Sequence, residues 1–276
     1  MERRVDMEDG SRIALPTDKI VAERRDGVGW LTFNQPERRN AISQEMWDGI
    51  AVAGAAFAAD PGIRVVVMRG AGDRAFTAGA DISEFEKVRA DAAAEEAYHA
   101  RSAAAGRALK SLQVPLIAMI RGYCVGGGMA MAMRADLRIA STDSKFGIPA
   151  AKLGVSYAQE SLDRLTQLVG PSRAKHVMFL ARLYSAEQAL AMGLVNEVVE
   201  PEALDATVRG IAAEIAQNAP LTIRAAKTMI DQSLVDPARR DGAGNAALER
   251  ACFDSEDYKE GRRAFMEKRR PVFRGR

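Results

Sequence analysis

The chain has 276 residues and a mass of 29.8 kDa, which is enough for one large domain with a sizeable core. Its 39 basic and 37 acidic residues leave a net charge of +2, so the basic surface of a duplex-binding protein is not expected. Two cysteines and two histidines cannot build a zinc site of the usual spacing, and no apolar run approaches the ~20 residues of a membrane helix. We therefore expect a cytoplasmic protein without a bound metal or a membrane partner.

The N-terminal part of the chain begins with a polar segment and continues into strands. Residues 1–19 mix acidic and basic side chains without an apolar centre, unlike a secretory signal, and we expect them to be flexible. Short strands are predicted at 20–23 and 29–33, followed by a helix that Ser43 caps and that ends near residue 59. The continuous apolar run within 64–69 predicts a strand buried on both faces.

Strand and helix patterns alternate further along the chain, and only helical patterns follow residue 147. The predicted elements are a helix at 90–111, a strand at 116–120, a helix at 127–135, strands at 137–140 and 145–147, and helices at 161–169, 172–182, 185–192, 203–218, 220–234, 240–252 and 255–268. The sequence therefore predicts an α/β core over residues 20–200 and a helical region over residues 201–276.

The segment Gly70-Ala-Gly72-Asp-Arg-Ala75 follows a predicted buried strand and matches the G-x-G-x-x-A pattern of dinucleotide-binding sites. That pattern requires a helix at its third position, so that the helix N-terminus points at the pyrophosphate. Here residues 76–81 continue as a loop, and we interpret the glycines as an ordinary turn.

A second glycine segment, Gly126-Gly127-Gly128, lies between a predicted strand and a predicted helix. Glycines at a helix start allow a ligand to approach free backbone N–H groups at the positive end of the helix dipole. This suits an oxyanion such as an enolate or a tetrahedral carbonyl oxygen, and one such donor contributes about 3 kcal/mol in a transition state. Alternatively, the glycines only allow the helix to pack closely on the sheet.

Six motifs occur along the chain in a fixed order. They are Asn34-x-Pro36-x-x-x-Asn40-Ala41, Phe76-Thr-Ala-Gly79-Ala80-Asp81-Ile82, the glycine segment, Phe146-Gly-Ile-Pro149-x-x-x-Leu153-Gly154, Ala189-x-x-x-Gly193-Leu194-Val195 and Phe265-Met-Glu-Lys268-Arg269. In these motifs the chain closely resembles the crotonase family, also called the enoyl-CoA hydratase/isomerase superfamily, from about residue 20 to residue 273. The resemblance implies an α/β fold of ββα spiral turns with a helical C-terminal trimerisation region. It also implies an acyl-CoA thioester substrate, with no cofactor beyond the coenzyme A of the substrate.

The resemblance also implies a set of site residues. It implies that the amides of Ala80 and Gly127 form an oxyanion hole for the thioester carbonyl. The implied substrate-binding residues are Arg38, Ala41, Ala78, Asp81, Ile82, Ser83, Gly126, Phe265 and Lys268. Arg38 lies where the nucleotide end of CoA is held, and Phe265 and Lys268 reach the CoA of a neighbouring subunit in a homotrimer or a dimer of trimers. We expect Asp81 to anchor the loop of Ala80 through backbone N–H groups.

Two positions depart from the hydratases that the chain resembles. Those hydratases carry glutamates where this chain has Ala130 and Ala150. An alanine can neither hold a water nor move a proton, and each acid-base group contributes roughly 10²- to 10⁴-fold. We therefore expect isomerase, decarboxylase, lyase or atypical hydratase chemistry on an enolate in place of ordinary hydration.

Tyr157 and Glu160 are the candidates for the missing chemistry. Decarboxylase-like members resemble the chain at Tyr157, although they carry a histidine where this chain has Ala80. Glu160 lies at the start of a predicted helix, where it alternatively only complements the helix dipole. We interpret His99 as a solvated surface residue and Cys124 as buried filler.

Two other functions stay open on the sequence. The two alanines permit a catalytically silent acyl-CoA-binding protein, which a turnover assay would separate from an enzyme. The basic residues from Lys268 to Arg270 permit RNA binding, as in one member of the family, but the near-neutral net charge disfavours a nucleic-acid partner.

Overall fold

The computed structural model describes residues 10–81 and 92–276. The strands are β1 (Ile20–Arg25), β2 (Val28–Phe33), β3 (Val65–Gly70), β4 (Ala75–Thr77), β5 (Leu116–Ile120), β6 (Tyr123–Val125), β7 (Leu137–Ser141), β8 (Lys145–Gly147), β9 (Tyr184–Ser185) and β10 (Glu197–Val199). The helices are α1 (Gln44–Ala59), α2 (Ala92–Lys110), α3 (Gly127–Ala132), α4 (Ala150–Leu153), α5 (Gln159–Leu180), α6 (Ala186–Met192), α7 (Leu204–Gln217), α8 (Pro220–Ser233), α9 (Gly242–Phe253) and α10 (Glu256–Met266). Single 3-10 turns lie at Pro36–Arg38 and Pro237–Arg239.

The strands form two sheets that the chain visits alternately. The larger sheet has the order β1-β2-β3-β5-β7-β10 and is parallel except for the β1–β2 hairpin. The smaller sheet has the order β4-β6-β8-β9, in which β4, β6 and β8 are parallel. Each of the pairs β3–β4, β5–β6 and β7–β8 gives one strand to each sheet before the chain enters a helix. This is the ββα spiral that the resemblance implied, and the predicted fold class is confirmed.

The larger sheet is buried on both faces. In β2, Leu31 and Phe33 belong to the main apolar cluster, whereas Val28 and Trp30 belong to a second cluster on the opposite face. In β3, Val66 and Met68 belong to the main cluster, whereas Val65 and Val67 belong to the second one. Because both faces of the strand are buried, its apolar run is unbroken. Helix α7 covers the second face with buried side chains, among them Leu204.

The C-terminal helices are also tied to the core by an ion pair. Lys227 of α8 donates to the Asp136 carboxylate at 2.8 Å and to the Val114 carbonyl oxygen at 2.9 Å. The same carboxylate accepts the Leu116 amide at 2.7 Å. The starts of β5 and β7 are thus connected to the helical region through Lys227 and one partly buried carboxylate.

Helix boundaries fall close to their predicted positions in two informative places. Helix α1 starts after Ser43 as predicted, although among the described residues the Ser43 hydroxyl has no hydrogen-bond partner. The predicted helices at 161–169 and 172–182 form the two halves of α5, which is interrupted at Gly170 with a φ of +77°. Pro171 follows directly and has no N–H to donate, so the interruption falls where the sequence places it.

Residues 10–13 belong to the segment that we expected to be flexible, which stays a prediction. In the structure Ile13 donates to the Ala22 carbonyl oxygen at 2.9 Å and Arg12 bridges Glu23 beside β1. Several other expectations about the elements are corrected. Residues 76 and 77, expected to be loop, belong to β4, and the helix predicted at 127–135 ends at residue 132. The short strands β9 and β10 lie where only helices were predicted. No described helix combines the length and the apolar character needed to span a bilayer.

Candidate active site

The candidate site lies where three parallel strands of the smaller sheet end side by side. Shortly after β4 comes Ala80, shortly after β6 comes Gly127, and shortly after β8 comes Ala150. Ligands of parallel sheets bind outside the carboxyl ends of the strands, because the loops that follow the strands meet there. Sheet register therefore brings together residues that are distant in the sequence.

The loop after β4 exposes the amide of Ala80. The Ile42 amide donates to the Gly79 carbonyl oxygen at 2.7 Å, and the Asp81 amide donates to the Ile42 carbonyl oxygen at 3.1 Å. In such a parallel bridge, the N–H of the bridged residue points away from the partner strand. No described residue accepts a hydrogen bond from the Ala80 N–H, so this donor is available on the side of the loop that faces away from Ile42.

The three glycines of the segment between β6 and α3 have three different roles. Gly126, the N-cap of α3, has a φ of +56°, which glycine adopts without strain. A Cβ on Gly128 would lie 2.1 Å from the Thr77 carbonyl oxygen, so close packing requires this glycine. A Cβ on Gly127 would make only an ordinary contact, at 3.4 Å from the Ala80 amide nitrogen. The packing interpretation therefore applies to Gly128, whereas packing does not demand a glycine at position 127 and the interpretation as a ligand-approach position stays open there.

Polar side chains hold the loop that carries Ala80. The Asp81 carboxylate is buried. It accepts a hydrogen bond from the Arg38 guanidinium at 2.8 Å and one from the side-chain amide of Gln35 at 3.4 Å. The Arg38 side chain is still 53% exposed. Arg38, which we expected at the nucleotide end of CoA, is thus also one of the side chains that fix the Asp81 loop.

Asn40 is a scaffold residue that the sequence motif contained without revealing its role. Its buried amide donates to the Ala71 carbonyl oxygen at 3.0 Å and to the Ala75 carbonyl oxygen at 2.7 Å. Its side-chain oxygen accepts a hydrogen bond from the backbone N–H of Gln35 at 3.0 Å. Asn40 therefore ties the loop after β2 to the turn between β3 and β4. The same turn contains Gly72 and leads into a strand rather than a helix, as expected for an ordinary turn.

The other predicted binding residues divide into three groups. Ala41 is buried beside Ile42, and the Ala78 amide donates to the Arg39 carbonyl oxygen at 3.0 Å, so both belong to the same loop cluster. Ile82 and Ser83 lie outside the described residues, as does the side chain of His99. The side chain of Phe265, at the end of α10, is 83% exposed, and Lys268 follows it just beyond the helix. Among the described residues of this one chain, no hydrogen bond or ion pair joins either of them to the Ala80 loop.

Tyr157 lies between α4 and α5 and contacts the glycine segment. Its hydroxyl donates to the Gly126 carbonyl oxygen at 2.6 Å. The structure therefore brings Tyr157 to the site, but its hydroxyl proton is engaged with the backbone.

Glu160 lines a cavity of about 290 Å³ that also includes Ala130. Glu160 lies in the first turn of α5, and its carboxylate is 66% exposed. The carboxylate forms an ion pair with Arg134 at 3.2 Å. Gly106 of α2 leaves space for this arginine, because a Cβ there would lie 2.5 Å from the Arg134 guanidinium.

Ala150 differs from Ala130, since it is 3% exposed and belongs to the main apolar cluster.

Cys124 precedes the glycine segment in β6. It is fully buried, and burial raises the pKa of its thiol well above the ordinary value. The thiol is therefore neutral and is not a nucleophile, as the interpretation of Cys124 as buried filler predicts.

Comparison with known proteins decides the family. The model of the enoyl-CoA hydratase/isomerase family matches residues 23–276. The chain belongs to this family. It is 34% identical to a crotonyl-CoA hydratase from Syntrophomonas wolfei, over 93% of this chain and 98% of that protein. It is equally 34% identical to an (E)-benzylidenesuccinyl-CoA hydratase from Thauera aromatica, over 93% and 99%.

A solved structure of the family is similar over nearly the whole chain. An enoyl-CoA hydratase/carnithine racemase from Magnetospirillum magneticum superposes with a TM-score of 0.90 at 39% identity, covering 94% of this chain and 97% of that one. The enoyl-CoA hydratase/isomerase fold therefore extends through the C-terminal helices of this chain.

Proposed function

We propose that this protein is an acyl-CoA enzyme that stabilises an enolate of its thioester substrate at the amides of Ala80 and Gly127. One observation supports the proposal: after two neighbouring parallel strands, the two loops come so close that a Cβ on Gly127 would lie 3.4 Å from the Ala80 amide nitrogen. Two converging N–H groups stabilise an oxygen on which negative charge develops, and each contributes about 3 kcal/mol to the transition state.

The reaction that fits best is isomerase, decarboxylase, lyase or atypical hydratase chemistry. Several relatives are named as hydratases, which supports a reaction at the α and β carbons of an acyl-CoA. Ordinary hydration also needs side chains that orient and deprotonate water. Ala130 and Ala150, which stand where the resembling hydratases carry glutamates, provide neither.

Glu160 is the carboxylate that we propose for proton transfer. It lines the same cavity as Ala130, the position at which the resembling hydratases carry a glutamate, although neither Ala80 nor Gly127 lines that cavity. The carboxylate also pairs with Arg134 at 3.2 Å, which holds it beside this cavity. A neighbouring carboxylate, Asp136, is already engaged by Lys227.

We further propose that the active assembly is a homotrimer or a dimer of trimers in the cytoplasm. Large apolar side chains are exposed on the single chain; they include Phe179, Leu183, Ile230, Leu234, Phe253, Phe265 and Met266. A soluble monomer seldom exposes so many. The two free thiols fit a reducing compartment. Sedimentation as a stable monomer would contradict the assembly.

A panel of saturated, enoyl-, hydroxyacyl- and malonyl-type CoA thioesters tests the proposed function. Turnover, followed by absorbance and by mass change, is expected for at least one member and should be slow for crotonyl-CoA hydration. Tight binding of several thioesters without any turnover would instead support the second candidate, a catalytically silent acyl-CoA-binding protein, which the two alanines favour.

A further inference from the structure

The peptide that joins Gly126 to Gly127 is held from its carbonyl side by a side chain. The Tyr157 hydroxyl donates to the Gly126 carbonyl oxygen at 2.6 Å, which is a short O–H···O hydrogen bond. A peptide group is planar and trans, so the C=O of Gly126 and the N–H of Gly127 are two ends of one rigid unit. A contact that fixes the carbonyl also fixes the direction of the N–H.

The backbone alone gives this peptide little support. The Gly126 carbonyl also accepts the Ala130 amide at 3.1 Å, which is the first hydrogen bond of α3, and α3 ends at Ala132. Gly126 itself has φ +56° and ψ −121°, outside the helical region, so the chain enters α3 through a residue that restricts rotation least. The tyrosyl hydroxyl is thus the second of two described donors to the carbonyl oxygen of the N-cap residue of a short helix.

The hydroxyl is itself well positioned. Tyr157 is half-buried, and its ring packs against the main apolar cluster, whereas the preceding residues 154–156 are exposed. The ring is therefore anchored at one end in the core, while the hydroxyl reaches the glycine segment. Because Tyr157 lies just before α5, this contact also connects the helix of Glu160 to the peptide of Gly127.

We propose that Tyr157 is a positioning residue that aligns and polarises the Gly127 N–H through the Gly126 carbonyl, rather than a proton donor to the substrate. This inference rests on the proposed function, because it assigns the aligned N–H to the thioester oxygen. A carbonyl that accepts a hydrogen bond strengthens the donor at the other end of the same peptide. The proton that the hydroxyl would give to a substrate is used for this bond.

The variant Tyr157→Phe removes only the hydroxyl, and Tyr184→Phe is its matched control. Tyr184 is buried in β9, and its hydroxyl contacts His176 at 3.2 Å. A lost oxyanion donor costs about 10²- to 10³-fold, and a misaligned one retains part of its effect. We therefore expect Tyr157→Phe to lower kcat about 10- to 100-fold on the substrate found in the panel, with KM and the shape of the pH profile unchanged.

A direct readout is the carbonyl stretch of bound butyryl-CoA labelled with ¹³C at the thioester carbon. We expect infrared difference spectra to show a shift to lower frequency in the wild type and in Tyr184→Phe, and a smaller shift in Tyr157→Phe. A normal shift and normal kcat in Tyr157→Phe would overturn the positioning role and leave the proposed function intact. Loss of one limb of the pH profile would also overturn it, in favour of proton transfer. Absence of any shift in the bound wild type would overturn the proposed oxyanion site itself.

Discussion

Gly128 packs on Thr77 so closely that a Cβ at position 128 would lie 2.1 Å from the Thr77 carbonyl oxygen. This contact joins the first turn of α3 to the end of β4, the strand that leads to Ala80. The distance between the two loops of the proposed oxyanion site is thus set by a backbone-to-backbone contact that only glycine permits.

We expect Gly128→Ala to destabilise the protein, because the added methyl group must displace backbone atoms. Overpacking of this kind costs typically about 1–3 kcal/mol or more of the free energy of unfolding, measured by urea denaturation. The control is Gly210→Ala in the exposed part of α7, where a Cβ would meet nothing within 4 Å. Alanine is the better helix former, so the control should gain up to about 1 kcal/mol. Unchanged stability of Gly128→Ala would contradict the close contact.

Gly127→Ala should separate catalysis from folding. The added methyl group would make an ordinary contact at 3.4 Å from the Ala80 amide nitrogen, so the fold should tolerate it. The methyl group would nevertheless occupy space beside a proposed oxyanion donor, and we expect turnover to fall about 10²- to 10³-fold. Gly127→Pro, which removes the donor at a helix position where proline is tolerated, should abolish turnover. Normal rates in both variants, compared with Gly210→Ala, would refute the oxyanion site.

Glu160→Gln tests proton transfer against a helix-dipole role. Glu187 occupies the first turn of α6 as Glu160 occupies the first turn of α5, so Glu187→Gln is a matched control. A catalytic carboxylate contributes roughly 10²- to 10⁴-fold, so Glu160→Gln should lower kcat by that factor while Glu187→Gln should not. If Glu160 only complements the helix dipole, both variants should retain activity and lose similar small amounts of stability.

Crotonyl-CoA hydration tests the two alanines. We expect the unmodified protein to hydrate crotonyl-CoA at least about 10²-fold more slowly than a glutamate-bearing hydratase, measured by loss of the enoyl absorbance. Binding of the thioester should persist, because it does not depend on the missing side chains. Rates like those of an ordinary hydratase would show that another residue serves as the base.

Introducing glutamates at these two positions should have unequal effects. Ala130→Glu enters a cavity that has room for a longer side chain, and we expect it to raise hydration measurably. Ala150→Glu places a carboxylate in the apolar cluster and should lower stability unless the side chain reaches the cavity. The double variant is then expected to be more active than Ala130→Glu only if it stays folded. Equal stability of the two single variants would contradict this difference in burial.

The sequence by itself determined the elements that depend on local patterns. The apolar run of β3 and the Gly170–Pro171 interruption of α5 follow from neighbouring residues, and both are found where they were predicted. The glycine segment was identifiable as a helix start that exposes N–H groups, and the order of the motifs identified the family. The three-residue strands β4, β6 and β10 were missed, because a segment so short shows no measurable periodicity, although the equally short β8 was predicted.

The tertiary structure alone decided which of these residues meet. Sheet register, which no local pattern encodes, places Ala80 beside Gly127 and distinguishes the packing glycine, Gly128, from the one that faces Ala80. The hydrogen bond from Tyr157 to Gly126 could not be read from a sequence separation of 31 residues. A phenol is equally suited to donate to a substrate or to a carbonyl, and only the position of its ring against the core determines which acceptor lies within reach.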